Sequence, residues 1–208
     1  MGSSKEIRLI CGLGNPGDRY AHTRHNAGFL TVDALAEHVG VSYWKNECGC
    51  KLARLACGTS SDGVLLVKPQ SYMNTSGGPL SRLMSQEGIS AQEILVVHDE
   101  VDLPVGSVRI KLGGGLNAHN GLRSVANKLG TRDFARVKCG IGRPLGKMDV
   151  SDFVLRQLKG ALLAEFERTI QKAAGICELC LEKGASYAAE HVLNDDPTMT
   201  NPYVKRSI

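Results

Sequence analysis

Near the amino end the spacing of apolar residues changes from that of a strand to that of a helix. Ile7-Arg8-Leu9-Ile10-Cys11 reads as a buried strand that stops at Gly12. Phe29, Val32, Leu35, Ala36 and Val39 then recur at helical spacing, which predicts a helix ended by Gly40. Asn26 is placed to cap it, with His25 just outside the first turn.

Leu52 to Cys57 and Val64 to Lys68 read as two strands joined through Ser60-Ser61-Asp62-Gly63, a hairpin-like connection. A short helix around Pro79 to Gln86 leads to Ile94-Leu95-Val96-Val97, an unbroken apolar run of the kind covered on both faces. His98-Asp99-Glu100 follows it directly. Val108 to Leu112 and Ala135 to Ile141 are further strands, separated by a Gly-rich loop and a helix near Leu122 to Leu129. A long helix spans about Leu162 to Lys183. This alternation predicts an α/β fold, a single domain over residues 7–190 with a twisted, mixed, mostly parallel sheet flanked by helices. Residues 1–6 and 193–208, the latter with Asp195, Asp196, Pro197 and Pro202, read as flexible termini. There is no internal repeat.

Composition narrows this picture only slightly. A chain of 208 residues with 42% hydrophobic and 22% charged residues suits one soluble globular core. Twenty-five Lys and Arg against 21 Asp and Glu give a net charge of +4, weaker than in a chromatin protein but compatible with one basic face. No apolar run reaches the ~18 residues of a membrane span and no charged-then-apolar leader opens the chain, so the expectation is a soluble, unexported protein. Seven cysteines is an odd count, and Cys11, Cys57, Cys139 and Cys177 sit in apolar segments, which suggests reduced thiols and a cytoplasmic location. Cys48 with Cys50 and Cys177 with Cys180 could be written as zinc pairs. The second pair, however, continues the apolar stripe of Leu163, Phe166, Ile170 and Ala173, so the core reading is favoured and no metal or cofactor is expected.

The candidate chemistry begins at Gly12-Leu13-Gly14-Asn15-Pro16-Gly17, which satisfies the G-x-G-x-x-G pattern of dinucleotide-binding enzymes. In that motif a helix starts inside the glycines and an acid ends a second strand some 20 residues later. Here the helix is delayed to Asn26, and Asp33 and Glu37 lie within it, so a tight turn leaving a strand is the better reading.

Ligands of open α/β sheets collect at loops after strand carboxyl ends. Asn15, Tyr72-Met73-Asn74 and Asp99 occupy such loops, while His25-Asn26 and Ala118-His119-Asn120-Gly121 occupy helix starts. His25 could act as a general base beside Asp99, which would fix its tautomer and stabilise the imidazolium. The helix N-terminus would lower the His25 pKa and Asp99 would raise it. A capping His and a surface Asp are the plainer alternatives. The amides of Asn15, Asn74 and Asn120 could hold a peptide unit or a developing oxyanion, although Asn is also common in turns and caps. No G-x-S-x-G elbow is present and Cys11 and Cys139 are strand residues, which leaves water as the nucleophile. Arg109-Ile110-Lys111 and Arg136-Val137-Lys138 each put basic residues on one strand face, which with Arg123, Arg143 and Lys147 suggests RNA backbone contact.

Taken in order, several motifs make the chain resemble the bacterial peptidyl-tRNA hydrolases. They are Gly12 to Gly17 with Tyr20 and Thr23-Arg24-His25-Asn26, Lys68 to Gly77, His98 to Pro104, Lys111 to Gly115, His119-Asn120-Gly121, and Gly140 to Pro144. The resemblance spans about residues 7 to 190 and implies a monomeric α/β esterase that acts on peptidyl-tRNA without an obligate protein partner. It implies His25 as catalytic base, Asp99 as its partner, Asn15, Asn74 and Asn120 as substrate-positioning residues, and Tyr20, Met73 and His119 as lining. Lys111 and Lys138 match the family's clamp for a tRNA phosphate, the latter at a position that is commonly Arg. Leu116-Asn117-Ala118 stands where relatives often carry His-Gly-Gly, which bears on the aim of His119 and Asn120. A non-catalytic RNA-binding relative and a dinucleotide enzyme are the competing readings.

Overall fold

Seven consecutive buried residues, Ile94–Glu100, form the strand around which the rest of the molecule is arranged. The computed structural model describes residues 5–56, 63–144 and 146–192. Within them the strands are β1 (Leu9–Gly12), β2 (Lys45–Glu47), β3 (Cys50–Leu55), β4 (Val64–Pro69), β5 (Ile94–Glu100), β6 (Val108–Leu112) and β7 (Ala135–Gly140). The helices are α1 (Ala27–His38), α2 (Gly77–Glu87), α3 (Asn120–Leu129), α4 (Val150–Leu155), α5 (Gly160–Lys183) and α6 (Ala185–His191).

The strands form one sheet in the order β2-β3-β4-β1-β5-β7-β6. The central pairs β4–β1, β1–β5 and β5–β7 are parallel, and the two margins are antiparallel. The mixed reading is therefore borne out, with the parallel pairing in the centre of the sheet. Strand periodicity divides the core: Ile10, Leu95 and Val97 face one apolar layer, which includes residues of α1 and α5, while Leu9, Cys11, Ile94 and Val96 face the other, which includes residues of α2 and α3. Each fully buried Leu, Ile or Val in these strands contributes roughly 1.5–3 kcal/mol of transfer free energy. On α5 the stripe Phe166, Ile170, Ala173, Cys177 and Cys180 is buried, so the latter two cysteines are core residues, as expected.

Two glycines bring α1 hard against the sheet. A Cβ on Gly12 would lie 2.2 Å from the Gly28 carbonyl oxygen, and one on Gly28 would lie 2.2 Å from the Leu13 nitrogen. These glycines thus serve strand–helix contact, and α1 begins at Ala27, well after them, unlike a pyrophosphate-binding helix.

The expected elements are present with shifts of one or a few residues, and β2, α4 and α6 are additions. β2 consists of Lys45, Asn46 and Glu47, an edge strand too short and polar to show a period. The predicted connection Ser60-Ser61-Asp62, Cys57, and the termini 1–4 and 193–208 lie outside the described residues. Among the described residues no helix is long and apolar enough to cross a membrane.

Candidate active site

The same alternation that fills the two layers points Asp99 to the side of Val97, toward α1, where the turn Arg24–Asn26 carries His25. His25 Nδ1 lies 3.0 Å from Asp99 Oδ1 and 3.2 Å from Oδ2. From the other side, His119 Nε2 also lies 3.0 Å from Oδ1. The Asp99 side chain is 3% exposed, which fixes it within this pair of imidazoles. Burial would raise a lone carboxyl, but the two imidazoles hold Asp99 well below the usual carboxylate range. Burial opposes protonation of His25, yet the charge and hydrogen bond of Asp99 outweigh it and the net shift is upward. Burial is the main opposing cause.

The tautomers follow from the donors. Backbone N–H groups of Gly121 and Leu122 donate to His119 Nδ1, at 3.1 and 3.3 Å, so His119 caps α3 and carries its proton on Nε2, facing Asp99. His25 donates through Nδ1, which leaves its Nε2 as an acceptor, without a hydrogen-bond partner among the described residues, at the cleft. His25, Asp99 and His119 are close enough for a metal, but His119 as hydrogen-bonded here offers Asp99 a proton on Nε2 in place of a lone pair.

Asn26 is not the side-chain cap that the sequence suggested. Its Oδ1 accepts from the Asn15 N–H at 2.8 Å and its Nδ2 donates to the Asn15 carbonyl at 3.0 Å, so both ends of the amide are used in holding the Asn15 loop. The Asn15 Oδ1 in turn accepts the Met73 N–H at 2.7 Å. With that oxygen engaged, Asn15 presents its Nδ2 donor to the cleft.

The cleft is about 590 Å³ and is lined by Asn15, Tyr20, His25, Met73, Asn74, Asp99, His119 and Asn120. Residues from five separated segments are thus brought together. Met73 is buried at the floor and its sulfur lies where a side chain at Gly121 would stand, 2.4 Å from an added Cβ. Asn74 and Asn120 are exposed at the cleft. Cys11 is buried and its thiol pushed well up; Cys139, likewise buried, is pushed up to about 12, which removes both as nucleophiles.

The predicted basic face divides. Register places Arg109 opposite Lys138 and Lys111 opposite Arg136, so the four share one face as expected. Lys111 is exposed. Arg136, however, is 1% exposed, its guanidinium turned onto the carbonyls of Gly115, at 2.6 Å, and Gly113, which corrects its reading as a phosphate-facing residue. Lys138 Nζ pairs with Glu100 Oε2 at 2.6 Å, its side chain 14% exposed. Neither lysine lines the cleft. Arg143 does, paired with Asp102; Arg123 and Lys147 are exposed.

The comparisons with known proteins bear directly on this geometry. Residues 9–200 match the family model described as peptidyl-tRNA hydrolase. The chain belongs to the peptidyl-tRNA hydrolase family. The peptidyl-tRNA hydrolase of Frankia alni is 47% identical over 178 residues, 85% of this chain and 88% of the relative. That of Pseudarthrobacter chlorophenolicus is 42% identical over 182 residues, 88% and 93% of the two chains. The crystal structure of the peptidyl-tRNA hydrolase from Acinetobacter baumannii superposes with a TM-score of 0.79 at 35% identity, covering 90% of this chain and 96% of that one.

Several cleft residues had no signal in the sequence reading. α4 adds an apolar wall through Val150, Val154 and Leu155, and it is fastened to the His25 segment because Arg24 stacks 4.0 Å over Phe153 and the Leu158 N–H donates to the His22 carbonyl. The spacing of Val150, Val154 and Leu155 after Asp149 is helical and could have marked this element. Glu100 and Asn117 also reach the cleft.

Proposed function

We propose that the chain hydrolyses the ester that joins a peptide, or an N-acyl amino acid, to the 3′ end of tRNA. The observation that carries this reading is the His25–Asp99 pair at the cleft, with His25 Nδ1 held by the carboxylate and Nε2 left to accept a proton, in a member of this family. A water beside Nε2 loses its proton to His25 as its oxygen attacks the ester carbonyl. Asp99 stabilises the resulting imidazolium, as its upward effect on the His25 pKa requires. The Asn15 Nδ2 donor supports the developing oxyanion or the neighbouring peptide carbonyl, and the exposed amides of Asn74 and Asn120 orient the peptide. Collapse of the tetrahedral intermediate expels the ribose oxygen, which recovers a proton from the His25 imidazolium, leaving free tRNA and a free carboxylate.

Tyr20 and Met73 shape the walls, and Lys111 meets a phosphate of the tRNA outside the cleft. On this reading the protein acts as a monomer, without an obligate protein partner, in the cytoplasm. Six free cysteines among the described residues support a reducing compartment. The test is incubation of purified protein with N-acyl-aminoacyl-tRNA in the presence of a chelator. Release of intact tRNA and free N-acyl amino acid is expected; an unchanged substrate overturns the reading.

A further inference from the structure

The loop that precedes His119 is backbone-strained and is tied down at one end by β7 and at the other by β5. Gly113 and Gly114 have φ of 61° and 86°, and Asn117 and Ala118, which carry side chains, have φ of 45° and 58°. Asn tolerates this left-handed region, whereas the Ala118 Cβ crowds its own backbone there. Such a conformation persists only when its surroundings hold it. At the first end, the buried Arg136 guanidinium donates to the Gly113 and Gly115 carbonyls. At the second, the Asn117 amide donates to Glu100 Oε2 at 2.9 Å.

Glu100 lines the cleft, but its lone pairs are spent inside the protein. Oε2 serves both Asn117 and Lys138, and Oε1 accepts the Asp102 N–H at 3.3 Å. A carboxylate 3% exposed needs a compensating cation, and Lys138 supplies it. We propose that Glu100, charge-balanced by Lys138, is a positioning residue: by holding the Asn117 amide it keeps Asn117 and Ala118 left-handed, which seats His119 on Asp99 and turns Asn120 to the cleft. This rests on the ester-hydrolase reading for its effect on rate, though not for its effect on the loop.

The test uses Asn117→Asp, an exposed, isosteric change that suits the left-handed conformation but sets a carboxylate against Glu100 in place of a donor. Adding Glu100→Gln restores the hydrogen bond with donor and acceptor exchanged. The single variant is expected to lose about 10-fold in kcat/KM, equally on N-acyl-aminoacyl-tRNA and on N-acyl-aminoacyl adenosine, which lacks the tRNA phosphates. The double variant is expected to return to within about 3-fold of the unaltered protein. In parallel, the Gly121 and Leu122 amides, which His119 accepts, should exchange with solvent about 10-fold faster in the single variant and recover in the double. Unchanged amide exchange in Asn117→Asp, absence of recovery in the double variant, or a loss confined to the tRNA substrate overturns the proposal. If the unaltered protein hydrolyses neither substrate, the functional reading fails, and the exchange data alone decide the role of Glu100.

Discussion

His25 Nδ1 and His119 Nε2 each lie 3.0 Å from the same atom, Asp99 Oδ1, with their rings 5.1 Å apart. One carboxylate oxygen therefore accepts from two imidazoles whose roles differ. His119 donates to the carboxylate through Nε2 because its other nitrogen caps α3, whereas His25 keeps an accepting nitrogen for substrate. The asymmetry between two chemically identical side chains comes from the backbone amides of Gly121 and Leu122.

Asp99→Asn should move the acidic limb of the rate profile to lower pH and reduce kcat. The His25 pKa is raised in the folded protein by Asp99 against the effect of burial, and the base works only when neutral, so activity climbs as pH rises through that raised value. Without the charge, burial remains and the limb falls below the ordinary imidazole value of about 6.5. The pH dependence of kcat/KM checks this; an unmoved limb contradicts the pair.

His119→Phe should have the opposite effect on pH. The lost donor leaves the Asp99 charge less shared and more available to His25, which raises the limb further. The α3 cap is lost too, at a cost of about 1 kcal/mol in stability, measurable by denaturant unfolding. A limb that moves downward argues against the shared oxygen.

At Asn15 stability and substrate binding should separate. Asn15→Asp keeps an oxygen for the Met73 N–H but replaces the cleft-facing donor with a charge, so KM rises more than in Asn15→Ala. Asn15→Ala orphans that buried N–H and is the less stable variant, by about 1–3 kcal/mol. Equal KM values for the two variants would reduce Asn15 to a turn residue.

His98 should make the protein acid-sensitive. It is 1% exposed, Nδ1 donates to the Asp99 carbonyl at 2.6 Å, and its buried Nε2 has no hydrogen-bond partner among the described residues. Burial, reinforced by His119, pushes its pKa well below the ordinary value. The unfolded chain takes up a proton near pH 6.5 that the folded chain refuses, so this contribution to stability is present above that pH and lost below it, by up to ~1.4 kcal/mol per pH unit. His98→Asn should show a shallower loss of unfolding free energy between pH 7 and 5; an identical slope contradicts the assignment.

Much of this was legible in the sequence because it rests on local patterns. The apolar run Ile94 to Val97 fixed the central strand, and period two then determined that Asp99 faces α1. The motif residues of the cleft were likewise found, since each sits at a strand or helix end. Arg136 was misread because its partners, the Gly113 and Gly115 carbonyls, belong to a loop whose course no periodicity specifies. Asn26 resembled a cap because cap residues and loop staples use the same side chain; only the tertiary approach of Asn15 separates them. Glu100 gave no signal, as a carboxylate next to a catalytic one looks identical on the page whether it faces water or a buried lysine.

The central claim, that His25 is the base, is tested most directly by turnover of saturating N-acyl-aminoacyl-tRNA with His25→Ala. The account predicts a fall in kcat of ~10²- to 10⁴-fold with tRNA affinity nearly unchanged. Turnover at the level of the unaltered protein would contradict it.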